Sequence, residues 1–233
     1  MKLKVLGSGS SGNCYILESD NEALVIEAGV PFKDVKVALG FDVRKIVGVV
    51  ASHSHGDHCK YIEQYKKAGI HAVCLGKEFP EYDAEKMKHY KVRMSQFVFK
   101  PFPLVHDVPC YGFYITHPDI GCLVYASDTE YIKYRFKNLN HILVESNYSD
   151  DLIDNESVNR EHVLRGHMSL QTALGFISTN DNPALRNVVL LHLSDKNANS
   201  AQFLQKTKET IKYGADCYIA EKGLEVDLNL CPF

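Results

Sequence analysis

The sequence is short of the features that define several large classes. No apolar run approaches the roughly 20 residues that a membrane-spanning helix needs. No Cys-x-x-Cys occurs, which removes the common redox and zinc-ribbon patterns. There is no repeat, low-complexity tract or linker at which to divide the chain, so a single domain is expected over 1–233. No secretory leader pattern is present, and the seven cysteines (Cys14, Cys59, Cys74, Cys110, Cys122, Cys217 and Cys231) are odd in number and scattered. Both facts point to a reducing, cytoplasmic setting. Strong charge is missing as well. A net charge of −3 argues against broad nonspecific affinity for nucleic acid, although it leaves room for a local basic groove. What is there is ordinary for a globular protein: 45% hydrophobic and 24% charged residues in 233, enough for one substantial core.

One stretch stands apart. Ser52-His53-Ser54-His55-Gly56-Asp57-His58 follows the apolar run 46–51, which reads as a buried strand. It precedes a segment with helical spacing, 59–68, that ends at Gly69. The motif is therefore expected on a loop between a core strand and a helix. Imidazole and carboxylate are ligands suited to zinc, manganese or iron. In extended chain, residues two apart point the same way, so His53 and His55 can reach one ion together. Asp57 and His58, displaced along the turn, can face a second. Asp57 could also cap the helix that follows.

His53-x-His55-x-Asp57-His58 resembles the signature of the metallo-β-lactamase-fold superfamily. The glycine-serine stretch Gly7-Ser8-Gly9-Ser10-Ser11-Gly12-Asn13, followed by a hairpin and an Ala-Gly turn, resembles its YycJ/WalJ-like branch more narrowly. That branch usually carries Asp before the Ala-Gly, and Glu27 stands there in this chain. The resemblance implies that this carboxylate supports the histidine loop rather than binding metal. It implies an α/β fold, a four-layer αββα sandwich of two mixed sheets with helices outside. Strands expected at 3–7, 14–18, 23–27, 71–75, 111–115, 122–126, 142–145, 187–191 and 217–220 are consistent with that. So are helices at 31–39, 78–87, 151–165, 169–177 and 200–213, and two strand-like runs within 92–105.

The remaining site residues come from later motifs in the same order. His106 ends a strand-like run before a hairpin, Asp128 ends a buried strand, and His192 ends another. By resemblance His53, His55 and His106 hold one ion, Asp57, His58 and His192 hold the other, and Asp128 bridges. The implied cofactors are two divalent metal ions, zinc or manganese. Gly166-His167-Met168-Ser169 opens a helix and resembles an element of tRNase Z in which the histidine is catalytic and not a ligand. His167 and Asp57 are therefore counted as catalytic. The alternative for His167 is a simple capping role. Ser8, Ser10, Ser11 and Asn13 are expected to bind substrate through the glycine-rich loop, whose amides and hydroxyls can hold an anion. The same stretch also reads as a plain β-turn loop. Asn147 is placed with the substrate, and Glu145 beneath the ligands.

The implied activity is phosphodiester hydrolysis by a hydroxide between the two ions, with His167 protonating the leaving group. The expected substrate is nucleic acid, chiefly DNA ends or single strands. A small cyclic nucleotide is the alternative, because phage anti-Pycsar enzymes share these motifs; some are dimers, which leaves a homodimer open. Thioester hydrolysis of the glyoxalase II type and a metal-binding scaffold without turnover are further readings. The intact ligand set and the Gly-His element speak against them. A basic groove beside the site favours the nuclease, and Arg160, Arg165 and Lys196 are the cations to inspect.

Overall fold

The computed structural model describes residues 1–81, 90–153 and 165–231. Two sheets lie face to face. The first runs β13-β1-β2-β3-β4-β5, with β1 at Lys2–Gly7, β2 at Cys14–Glu18, β3 at Ala23–Ile26, β4 at Ile46–Ala51, β5 at Ala72–Cys74 and β13 at Glu225–Asp227. The second runs β12-β11-β10-β9-β8-β7-β6. Its strands are β6 at Val92–Met94, β7 at Phe97–Pro103, β8 at Tyr111–His117, β9 at Gly121–Ala126, β10 at His141–Glu145, β11 at Asn187–Leu191 and β12 at Asp216–Ile219. Both sheets are mixed: β1 to β3 and β6 to β9 pair antiparallel, while β3-β4-β5 and β9-β10-β11-β12 pair parallel.

Strand periodicity builds the layers. Side chains alternate across a strand, so neighbouring apolar residues enter different cores. Ile26, Val50, Leu143 and Val189 face the space between the sheets, with Phe97, Phe113 and Tyr125. Val25 and Val49 turn outward against Phe32, Ile62 and Tyr65 of the helices α1 (Phe32–Ala38) and α3 (Ile62–Lys67). Ile142, Val144, Val188 and Leu190 turn the other way, against Ala173 and Ile177 of α5 (Leu170–Asn180) and Phe203 of α6 (Ser200–Thr210). Every residue of β10 and β11 is buried, as expected for parallel strands covered on both faces. This is the αββα sandwich.

The expected helix over 59–68 is two short helices. The helix α2 covers Gly56–Cys59 and takes in part of the histidine stretch, and α3 starts at Ile62. The break has a local cause. The Asp57 and His58 carbonyls accept from Asn13 N and Ala28 N, both at 2.7 Å, and Tyr61 N donates to Ala28 O at 2.9 Å. The carbonyls that would continue the helix are taken by the backbone amides of Asn13 and Ala28. Asp57 lies inside the first turn of α2, and His55 occupies the cap position. At the C-terminus β13 pairs antiparallel with β1, a strand that no local periodicity predicts. A short helix α4 covers Leu75–Glu78. The helices expected at 78–87 and 151–165 fall largely in 82–89 and 154–164, outside the described residues.

Candidate active site

The site is assembled at the ends of the central strands. β4 delivers the histidine loop, Asp128 lies two residues past the end of β9, Glu145 ends β10, and His192 directly follows β11. Three of the carriers have left-handed backbone: Glu27 (φ 66°), Asp128 (φ 54°) and His192 (φ 55°). Such conformations cost roughly 1–3 kcal/mol each and cluster at functional sites. Here they turn the chain sharply just past a strand end.

Three overlapping groups of donor atoms result among the described residues, and Asp128 belongs to all of them; one joins it to Glu145, His167 and His192, and the other two carry the expected ligands. Of those two, His53, His55, His106 and Asp128 form one, and Asp57, His58, Asp128 and His192 form the other, with ligand atoms within 4.8 Å of one another in each. Asp128 Oδ2 lies 3.0 Å from His58 Nε2 and 3.6 Å from His53 Nε2, and Asp128 Oδ1 lies 3.3 Å from His192 Nδ1. His106 Nε2 and His55 Nδ1 are 3.3 Å apart.

The donor set fits divalent metal. His53 Nε2 and His192 Nε2 are buried without any hydrogen-bond partner, an arrangement that is costly unless something occupies them. In each ring the other nitrogen is engaged: His53 Nδ1 with Ser52 Oγ at 2.8 Å, His192 Nδ1 with Glu145 Oε1 at 3.1 Å. His106 Nδ1 faces the Gly166 carbonyl at 3.1 Å, which leaves Nε2 for the site. Metal-binding histidines are commonly oriented this way.

Electrostatics follow from the packing. Burial and then the neighbouring His58 push His53 down to about 2, so it is neutral and its lone pair is available. Burial also disfavours charge on His58, but Asp128 and Glu27 outweigh it and raise that imidazole well above its usual value. His192 is raised against its burial chiefly by Asp128. For His167 burial is outweighed by Glu145, which lifts it to about 9. Asp128, although fully buried, is held far below the usual carboxylate range by His58 and His192.

Two carboxylates hold this arrangement from beneath. Glu27, fully buried, accepts from Ser52 N through both oxygens at 3.2 Å and from Tyr125 OH at 3.1 Å. Its Oε2 lies 3.4 Å from His58 Nδ1. The extra methylene relative to Asp lets it span from β3 to the histidine loop. Glu145 accepts from Thr129 N at 2.9 Å, pairs with His167 Nδ1 at 2.6 Å and meets His192 Nδ1. It thus ties β9, the Gly166-His167 turn and the β11 end together. In the sequence Glu145 carries the same signal that marks Asp128, an acid closing an apolar strand.

The expected substrate residues divide. Asn13 is buried, with Oδ1 accepting from Gly9 N at 2.9 Å and Nδ2 directed at Asp57 Oδ2 (3.2 Å) and His58 Nε2 (2.9 Å). Ser8 Oγ accepts from His192 N at 2.9 Å. Asn147 Nδ2 donates to His192 O at 2.8 Å. These three are engaged inside the protein, bracing the ligands. Ser10 and Ser11 are exposed on the loop tip. A polar hollow of about 520 Å³ lies beside the His192 loop, lined by Ser8, Ser11, Ser194, Ser200 and Lys222 among others. Ser169, not His167, caps α5, accepting from Thr172 N at 3.2 Å. His167 sits between the two ligand groups, its ring centre 5.2 Å from that of His192 and 6.3 Å from that of His106. Of the cations singled out, Arg165 and Lys196 are exposed, and Arg160 lies outside the described residues.

The fold and this donor set define a class, the metal-dependent hydrolases built on an αββα sandwich. Residues 7–120 match the family model described as "Metallo-beta-lactamase superfamily". The chain is 25% identical over 223 residues to "Exodeoxyribonuclease WalJ" of Streptococcus pneumoniae, covering 84% of this chain and 82% of that protein. It is 24% identical over 180 residues to "Exodeoxyribonuclease YycJ" of Bacillus anthracis, where the match takes in 66% of this chain and 65% of the relative, just under two thirds. Among solved structures it resembles the metallo-beta-lactamase fold protein YhfI from Bacillus subtilis, with a TM-score of 0.70 at 17% identity, covering 97% of this chain and 98% of that one. By these matches the chain is similar to the metallo-β-lactamase superfamily over residues 7–120, and to the YycJ and WalJ proteins over most of its length.

Proposed function

We propose that this chain, as one hydrolase domain over 1–233, is a cytoplasmic phosphodiesterase that uses two divalent ions, zinc or manganese, to cut DNA at ends or in single strands. The observation that carries this reading is the Glu145–His167 pair, at 2.6 Å, opening onto two ligand groups that share Asp128. The curated relatives named as exodeoxyribonucleases support the substrate class.

His53, His55 and His106 are assigned to one ion and Asp57, His58 and His192 to the other, with Asp128 common to both. When bound, such ions polarise phosphoryl oxygens and acidify water. Asp57, partly exposed beside His58 and Asn13, is positioned to orient the attacking water as well as to ligate. His167 carries a proton held on the ring by Glu145 and is placed to deliver it to the departing oxygen. Glu145 acts on His167 and His192 at once, so it sets the geometry of proton donor and ligand together. Ser8, Asn13 and Asn147 position ligands from behind, and Ser10 and Ser11 line the approach.

The test is hydrolysis of bis(p-nitrophenyl) phosphate, a small activated diester, and of labelled single-stranded DNA with zinc or manganese added. Both are expected to be cut, and His53→Ala is expected to cut neither. A metal-loaded protein that leaves both intact would overturn the phosphodiesterase reading.

A further inference from the structure

The segment that follows Asp128 carries an alternation that the site itself does not use: Tyr131, Lys133, Tyr134, Arg135, Phe136 and Lys137. It forms no regular element and runs from the end of β9 to the start of β10, with Ile132 and Phe136 packed against the outer-face cluster of the second sheet that includes Phe102, Val124 and Phe176 of α5. Phe136 anchors it, stacked on Tyr114 at 5.8 Å and tilted against Phe102 at 5.1 Å. Tyr134 meets Phe102 edge-on at 5.5 Å and still leaves 36% of its surface exposed. Tyr131 is 42% exposed, with Lys133 Nζ above its ring at 5.9 Å. A shallow depression beside these rings is lined by Lys100, Arg135 and Lys137. None of these three cations has an acidic partner among the described residues, although the whole chain is net negative.

Exposed rings interleaved with unpaired cations form the usual platform for single-stranded nucleic acid. Bases stack on the rings whatever their identity, and the cations follow the phosphates. The platform is continuous with the site. Thr129 Oγ1, next to Asp128, accepts from Val105 N at 3.0 Å and donates to Tyr131 O at 3.0 Å, which fixes the segment's departure. Three residues of chain span at most about 11 Å, so Tyr131 lies within reach of the nucleotide beside the one being cut. We infer that residues 131–137 with Lys100 bind the single strand that leads away from the metal centre, and that they select unpaired over duplex substrate. This rests on the phosphodiesterase reading and adds the strand and its path.

The experiment is fluorescence anisotropy with labelled oligothymidylate and the full chain, in chelator so that nothing is cut. The chain is expected to bind the oligonucleotide, and to bind a duplex of equal length less tightly. Tyr131→Ser is expected to weaken single-strand binding about five-fold or more, and Tyr131→Phe to leave it unchanged. The Lys100→Gln/Arg135→Gln/Lys137→Gln variant is expected to reduce the slope of log affinity against log salt by about 2. All these positions are exposed, and thermal melts check that each variant folds. Hydrolysis of bis(p-nitrophenyl) phosphate in added metal separates the two claims. If the wild type cuts it and Tyr131→Ser or the triple variant binds the strand as the wild type does, the platform is overturned and the phosphodiesterase stands. If the wild type does not cut it, the function reading has failed instead. A change in molecular mass with no change in strand affinity would reassign the surface to contact between copies and overturn the proposal.

Discussion

Glu27 offers the sharpest test of how the metal centre is held. It touches three protein groups: Ser52 N, Tyr125 OH and His58 Nδ1. Glu27→Ala leaves two buried donors without acceptors and removes the carboxylate behind His58. At about 1–3 kcal/mol for each of the two orphaned donors, the expected loss is roughly 2–6 kcal/mol. For a chain of this size that is roughly 5–25 °C in Tm, read by calorimetry on the metal-free protein. Glu27→Gln separates charge from shape. An amide can still accept from Ser52 and Tyr125 through its oxygen, so most of the stability is expected to remain. Its NH2 then faces His58 Nδ1, which moves the ring proton to Nε2 and blocks the nitrogen that faces Asp57 and Asp128. Metal affinity, measured by chelator competition, is expected to fall about 10- to 100-fold. The pH trend has a definite sign. Asp128 and Glu27 raise the His58 pKa, so a proton competes with metal there and wild-type affinity rises with pH. Removing the Glu27 charge weakens that competition too, so the deficit of Glu27→Gln widens as pH rises. Wild-type metal affinity in Glu27→Gln at alkaline pH would refute the reasoning.

Three further outcomes are expected. His53→Ala and Asp128→Ala abolish metal binding and turnover together, since Asp128 is common to both ligand groups; metal content by plasma emission checks this. His167→Gln keeps the metals but lowers kcat about 10²- to 10⁴-fold. Because His167 donates its proton and is held near 9 by Glu145, wild-type activity falls as pH climbs through that region, and Glu145→Gln moves this limb to lower pH. Gly29→Ala places a Cβ 1.7 Å from the Asp57 carbonyl oxygen and 2.6 Å from Asn13 N, so the Ala28-Gly29 turn must part from α2. A loss of about 4 kcal/mol or more is expected in denaturant titration, accompanied by loss of metal.

Much of this was legible in the sequence because the histidine stretch concentrates its donors within six residues after a strand. Periodicity alone separated most strands, and parallel strands such as 187–191 stood out as continuous apolar runs. What escaped was set by distant partners. Glu145 acquires its role from Thr129, His167 and His192, which are 16 to 47 positions away. Asn13 and Ser8 read as substrate contacts because a glycine-serine loop suggests an anion cradle, yet the fold turns both inward onto His58 and His192. The interruption before α3 comes from the capture of two helix carbonyls by residues 13 and 28, which no local propensity encodes. The short β13 is stabilised only by β1 at the far end of the chain. The basic and aromatic strip at 131–137 was written plainly but belongs to no regular element, so periodicity passed over it.

The central claim is metal-dependent hydrolysis of phosphodiesters in DNA. It is met most directly by incubating the protein, with zinc or manganese, with 5′-labelled single-stranded DNA, the matching duplex and 3′,5′-cyclic nucleotides. Degradation of the single strand, faster than the duplex and absent in His53→Ala, is the predicted result. Turnover of the cyclic nucleotides with both DNAs intact, or no turnover at all with metals bound, would contradict it.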